Sequence, residues 1–153
     1  MSHEEDVERN ITALGQDKAL QARSIEWVHD TAVHGYSYNF SWMGRPIIQY
    51  PQDMVAMQEI IWQVQPELII ETGIAHGGSL IFYAAMLELN AVCGGAADAA
   101  VVGIDIDIRS HNRAAIEAHP LFRRISLIEG SSIAPEVIDV VRQHARGRQR
   151  GLV

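Results

Sequence analysis

A three-layer α/β sandwich built on a parallel sheet is the fold class this sequence predicts, and two observations carry it. Three short apolar runs, within residues 68–70, 101–106 and 124–128, alternate with stretches of helical pattern. Crossovers of that length join parallel strands and place helices on the faces of the sheet. A glycine-bearing turn, residues 71–78, follows the first run directly, and ligands of such sheets bind beyond the carboxyl ends of the strands.

Each element has its own signal. Residues 2–33 read as helix, with Ser2 and Glu5 at capping-box spacing and a patchy apolar stripe of Val7, Ile11, Leu14, Ile25, Val28 and Ala32. Gly15 weakens the middle, so two helices are possible. Residues 34–50 are aromatic and irregular and read as a long loop. Pro51 opens a helix whose apolar face is Met54, Met57, Ile61 and Val64, and Pro66 ends it. Leu68-Ile69-Ile70 is a buried strand, and residues 79–90 form an apolar helix. Small residues fill 91–99. Val101 to Ile106 is the second strand, His111 to Ala118 a helix stopped by Pro120, Arg124 to Ile128 the third strand, and Pro135 to Arg146 the last helix. Gly151-Leu152-Val153 reads as the start of a fourth strand. Three strands leave an open edge, so the expectation is the amino-terminal part of a longer protein. Residues 1–50 are expected to be an N-terminal helical and aromatic lid segment, and 51–153 the sheet-bearing domain.

Composition narrows the function. With 48% hydrophobic and 20% charged residues, the chain has globular composition. Nineteen acidic against 12 basic residues give a net charge of −7, which disfavours nucleic-acid binding. The exception is a basic end, Arg142, Arg146, Arg148 and Arg150, which suits the last turn of a helix. A single cysteine, Cys93, excludes an internal disulfide and paired-cysteine zinc sites. The acidic N-terminus is unlike a secretory leader, and no apolar run approaches membrane-spanning length. A cytoplasmic location is the corresponding expectation, and the open sheet edge adds that of a homo-oligomer or a poorly soluble chain.

The turn Glu71-Thr72-Gly73-Ile74-Ala75-His76-Gly77-Gly78-Ser79 carries the chemistry. Gly73 permits a sharp turn off the strand. Gly77 and Gly78 permit close approach to a helix amino terminus suited to an anion. Two readings compete. A dinucleotide fingerprint wants Gly-x-Gly-x-x-Gly and an acid about 20 residues on; here Ala75 replaces the middle glycine and Asp105 lies farther along. A nicotinamide dehydrogenase is therefore disfavoured. The other reading takes Glu71 for a cationic group and the helix end for a carboxylate, which suits S-adenosylmethionine. Asp105 would hold ribose hydroxyls, and Gly130-Ser131-Ser132 would border the adenine. Ala75, His76, Gly77 and Ser79 complete the candidate cofactor positions.

The sequence resembles the cephalosporin hydroxylase / rhamnosyl O-methyltransferase family, whose members have the Rossmann-like class I methyltransferase fold. The resemblance runs from about Tyr36 to Ser132. It rests on Trp42-Met43-Gly44-Arg45-Pro46-Ile47-Ile48-Gln49-Tyr50-Pro51-Gln52-Asp53, on Leu68 through Ser79, and on Gly103-Ile104-Asp105-Ile106-Asp107-Ile108-Arg109. It implies an S-adenosylmethionine-dependent O-methyltransferase with Glu71, Gly73, Ser79, Asp105 and Ser132 at the cofactor. The hydroxyl acceptor would be a sugar, lipid-linked or natural-product small molecule. Family members continue into a later acidic motif that holds magnesium. That motif lies beyond Val153, so magnesium is expected only of the full-length family, with no metal ligands and no catalytic residues assigned here. A non-catalytic cofactor-binding or oligomerising remnant is the alternative.

Other residues have weaker claims. Asp105, Asp107 and His111 are a remote metal candidate. Tyr36, Tyr38, Trp42 and Tyr50 read either as a lid or as packing. Arg45 is expected to meet a carboxylate, of the substrate or of the chain itself.

Overall fold

The computed structural model describes residues 2–153. Two compact units divide the chain, Met1–Tyr36 and Ser37–Val153. The division falls within the aromatic stretch, after Tyr36, rather than after residue 50, because most of that stretch packs against the helix that begins at Gly78.

The first unit holds two helices, α1 (His3–Gln16) and α2 (Lys18–Ala32). The capping box forms as the spacing predicts: the Glu5 N–H donates to Ser2 Oγ at 3.2 Å and the Ser2 N–H to Glu5 Oε2 at 2.7 Å. The break between the helices comes at Asp17, whose Oδ1 accepts from the Leu20 N–H at 2.8 Å. An aspartate supplies the acceptor that starts a new helix, which Gly15 has no side chain to offer. Neither helix buries a residue, and Trp27 packs edge-on against Tyr36 at 5.2 Å.

In the second unit, the expected loop contains an antiparallel hairpin, β1 (Phe40–Trp42) and β2 (Arg45–Ile47). Met43 and Gly44, both at positive φ (45° and 85°), make its two-residue turn. The sequence hides the hairpin because methionine, not asparagine or glycine, takes the first left-handed position. Trp42 meets the ring of Phe82 edge-on at 5.0 Å and Ile47 is fully buried. Trp42 is therefore core packing and not a lid.

The remaining elements follow the predicted order: α3 (Pro51–Val64), β3 (Leu68–Thr72), α4 (Gly78–Val92), β4 (Ala100–Asp105), α5 (Ser110–Glu117), β5 (Ile125–Glu129), α6 (Pro135–Ala145) and β6 (Gly151–Leu152). The expected fourth strand is present as β6. The sheet order is β5-β4-β3-β6, all parallel. Successive strands step outward from β3 to β5, and the chain then crosses back to the other side of β3. That reversal is the switch point of a doubly wound sheet.

Period-two alternation along β4 distributes the core. Val101 joins Ile69, Leu80, Ile81 and Leu87 in the main cluster, whereas Val102 and Ile104 pack with Leu68 and Val137 of α6 in a second one. Helix α4 is apolar nearly all round because it is covered nearly all round, with Leu80 through Leu87 buried. The arginine-rich end is not one helical turn. Arg142 pairs with Asp139 on α6, but Arg148 donates to the carbonyls of Glu67, His144 and Asp98, and Arg150 pairs with Glu67. These contacts lead the chain into β6 beside β3.

Candidate functional site

The carboxyl ends of β3, β4 and β5 meet at one end of the sheet, and backbone bonds fix them there. The Gly73 N–H donates to the Ile104 carbonyl and the Gly130 N–H to the Asp105 carbonyl, both at 2.8 Å. Two of the clefts at this end share Gly73. One, of about 240 Å³, is lined by Gln49, Glu71, Gly73–His76, Ser79 and part of β2. The other, of about 230 Å³, is lined by Thr72, Gly73, Asp105, Ile106 and Gly130–Ser132. The candidate residues from three separate strand ends thus fall on one continuous surface. A larger cleft of about 530 Å³, lined by Glu67, His144 and Arg148 among others, lies at the opposite end of the strands.

The turn is shaped by two kinds of glycine. Gly73 has φ +80° and open space where a Cβ would stand, so its bare backbone faces the clefts. Packing by itself requires glycine at Gly77 and Gly78, and Gly78 also lines the first cleft. A Cβ at Gly77 would collide with Ile116 of α5, and one at Gly78 would lie 2.1 Å from the Pro46 carbonyl oxygen. The hairpin seats directly on the start of α4. Gly77, at φ +79°, is the N-cap and offers no side chain, so the first N–H groups of α4 face the turn without a side-chain cap.

Glu71 is the electrostatic centre. On β3 it shares the α4-facing side with Ile69, and there it meets Ser79 and Tyr83, one helical turn apart. Burial raises its pKa to about 7. A hydrogen bond from Ser79 opposes that rise, and the nearby charge of Asp105 adds to it. Its Oε2 is buried without a partner, as is Oε1 of Gln49. Tyr83 is shifted upward by its own burial and by Glu71, with a hydrogen bond from Gln49 opposing.

Asp105 is already employed. Its Oδ2 accepts from the Ile74 N–H at 2.9 Å and its Oδ1 from the Asp107 N–H at 3.2 Å. It anchors the turn after β3, and each oxygen keeps a further lone pair for a ligand hydroxyl. Ala75 sits at φ +46°. The Ala75 carbonyl accepts from Asn112 Nδ2 at 3.0 Å, and the His76 carbonyl accepts from Arg45 Nε and Nη2 at 3.2 and 2.5 Å. Arg45 also reaches Asn112 Oδ1 at 3.3 Å. Within the chain Arg45 therefore meets backbone and an amide, and not an internal acid.

Sequence reasoning missed Gln49, Tyr83 and Asn112 as parts of the site. Tyr83 alone had a local signal, its position four residues after Ser79. Among the described residues, no three His, Cys, Asp or Glu side chains converge to hold a metal ion, and Asp107 and His111 are exposed. The residues present do not fit a magnesium site, and no step is assigned to one.

The sequence pattern of the rhamnosyl O-methyltransferase/CmcI family matches residues 34–153. A rhamnosyl O-methyltransferase of Mycobacterium leprae (strain TN) is 31% identical over 103 residues, covering 67% of this chain and 41% of the relative. Two solved structures are similar in fold at 21% identity. One described as "cmcI-D160 Mg-SAM" gives a TM-score of 0.54 over 75% of this chain and 44% of that one. The other, "CmcI-N160 apo-structure", gives 0.53 over 73% and 42%. The chain thus spans less than half the length of these relatives. Matched over its whole sheet-bearing unit by that pattern, the chain belongs to the rhamnosyl O-methyltransferase/CmcI family.

Proposed function

We propose that this chain is the cofactor-binding part of an S-adenosylmethionine-dependent O-methyltransferase. The observation that carries this reading is the buried Glu71 carboxylate, with one oxygen unpartnered, beside the uncapped start of α4. A buried acceptor without a partner is costly unless a ligand supplies the donor. The site therefore asks for a ligand with a cation next to an anion, and the amino-acid end of S-adenosylmethionine has both. Its ammonium suits Glu71 and its carboxylate suits the α4 N–H groups. Asp105 faces the second cleft with acceptor capacity for ribose hydroxyls, and Ser131 and Ser132 border the space beyond it.

When bound, the cofactor supplies a methyl group on a positively charged sulfur. The chain's contribution is placement, because in-line transfer requires the methyl and the acceptor oxygen to be held together. Family membership supports a hydroxyl acceptor, on a sugar, a lipid-linked sugar or a natural product. The same Glu71 weighs against a dinucleotide, whose pyrophosphate would lie against a carboxylate. A second reading, a cofactor-binding chain that transfers no methyl group by itself, is favoured by the lack of a metal-ligand cluster among the described residues.

Isothermal titration with S-adenosylhomocysteine and with NAD tests the cofactor. Binding of the first and not the second is expected; tighter binding of NAD would overturn the methyltransferase reading.

A further inference from the structure

Gln49 belongs to the segment between the hairpin and α3, far in sequence from the glycine turn, yet it lines the same cleft as Glu71 and Ser79. The structure holds it firmly. Its backbone N–H donates to the Ser37 carbonyl at 3.1 Å, and its side chain lies near Tyr83. Its Oε1 is buried without a partner, as is Glu71 Oε2. Tyr83 feels both residues, so the two unpartnered oxygens belong to one neighbourhood. One buried acceptor without a donor is already uncommon. Two such buried oxygens, on residues that line one cleft, ask for a ligand group with several N–H donors, and an ammonium has three.

We propose that Gln49 is a specificity-determining residue, its amide oxygen accepting, beside the Glu71 carboxylate, from the ammonium group of an amino-acid-bearing nucleoside. This rests on the cofactor reading above and adds a residue to it. Glu71 supplies charge, and Gln49 supplies a second, directional acceptor from an element outside the sheet. The hairpin segment then selects ligands that carry the amino-acid end over nucleosides that lack it.

The test compares two ligands on the whole chain. S-Adenosylhomocysteine and 5′-methylthioadenosine share the nucleoside and a neutral sulfur, and only the first carries the amino acid. Gln49→Leu keeps the bulk and removes the acceptor. Its affinity for S-adenosylhomocysteine is expected to fall about tenfold, with 5′-methylthioadenosine unchanged. Gln49→Glu, which keeps an acceptor oxygen, is expected to hold S-adenosylhomocysteine affinity to within about threefold of the parent chain. Equal loss of both ligands in Gln49→Leu would assign Gln49 a structural role only, and no loss of either would remove it from the site. If Gln49→Leu does not fold, Gln49→Asn, which draws the oxygen back by one methylene, carries the same comparison. Failure of the parent chain to bind either ligand would instead overturn the cofactor reading itself.

Discussion

Glu71→Gln separates the stability of the empty site from its ligand affinity, because the two respond to the same charge with opposite sign. Glu71 titrates at about 7 in the folded chain against an ordinary 4.5. Between those values the folded state holds the proton and the unfolded state has released it. Stability at this group is therefore greatest below about pH 4.5, is lost as pH rises, and levels off above about 7. At about 1.4 kcal/mol per pH unit, the charge costs the empty chain about 2–3 kcal/mol at pH 8 relative to pH 5. Urea unfolding at the two pH values reads this directly. Glu71→Gln should be more stable than the parent at pH 8 and nearly equal to it at pH 5. Affinity for S-adenosylhomocysteine should move the other way. The parent needs the ionised carboxylate, so its affinity should fall about tenfold per pH unit below 7, with proton release on binding near pH 7. Glu71→Gln should bind more weakly at pH 8 and without that slope. Parallel pH profiles in the two chains, for unfolding and for binding, would refute the assignment of a buried, ligand-facing carboxylate.

Three further substitutions probe the shape of the turn. Arg45→Ala removes the bonds that hold the His76 carbonyl and Asn112; it should cost about 1–3 kcal/mol in urea unfolding and weaken S-adenosylhomocysteine in titration. Unchanged stability and affinity would show that the turn keeps its shape without the hairpin. Gly78→Ala drives a methyl into the Pro46 carbonyl and should destabilise by about 1–3 kcal/mol or more, seen as a lower Tm; an unshifted Tm would mean the hairpin lifts off α4 freely. Asp105→Ala frees the N–H groups of Ile74 and Asp107 and should lose about 1–3 kcal/mol of stability together with nucleoside affinity. Loss of affinity at full stability would make Asp105 a ligand contact alone.

Much of the fold is legible in the sequence because its signals are local. The capping box at Ser2, Pro51 at the start of α3, the apolar run before Glu71 and the glycine turn are each decided by neighbours within a few residues. Even β6 is readable from three residues, since a chain with this alternation must return to the sheet. The candidate cofactor positions are legible for the same reason, as they gather at strand ends that alternation alone identifies. Other features depend on contacts that no spacing encodes. The hairpin at 40–47 exists because Trp42 and Ile47 find Phe82 and the start of α4, not because its turn residues demand it. Gly77 and Gly78 are glycines because Ile116 and Pro46 occupy the space of their side chains. Arg45 and Asn112 meet across 67 residues of sequence to hold two carbonyls. Glu71 shows the division most plainly. Sequence placed a carboxylate at the strand end, but only the packing of α4 and the hairpin around it removed the water that would have kept it an ordinary acid.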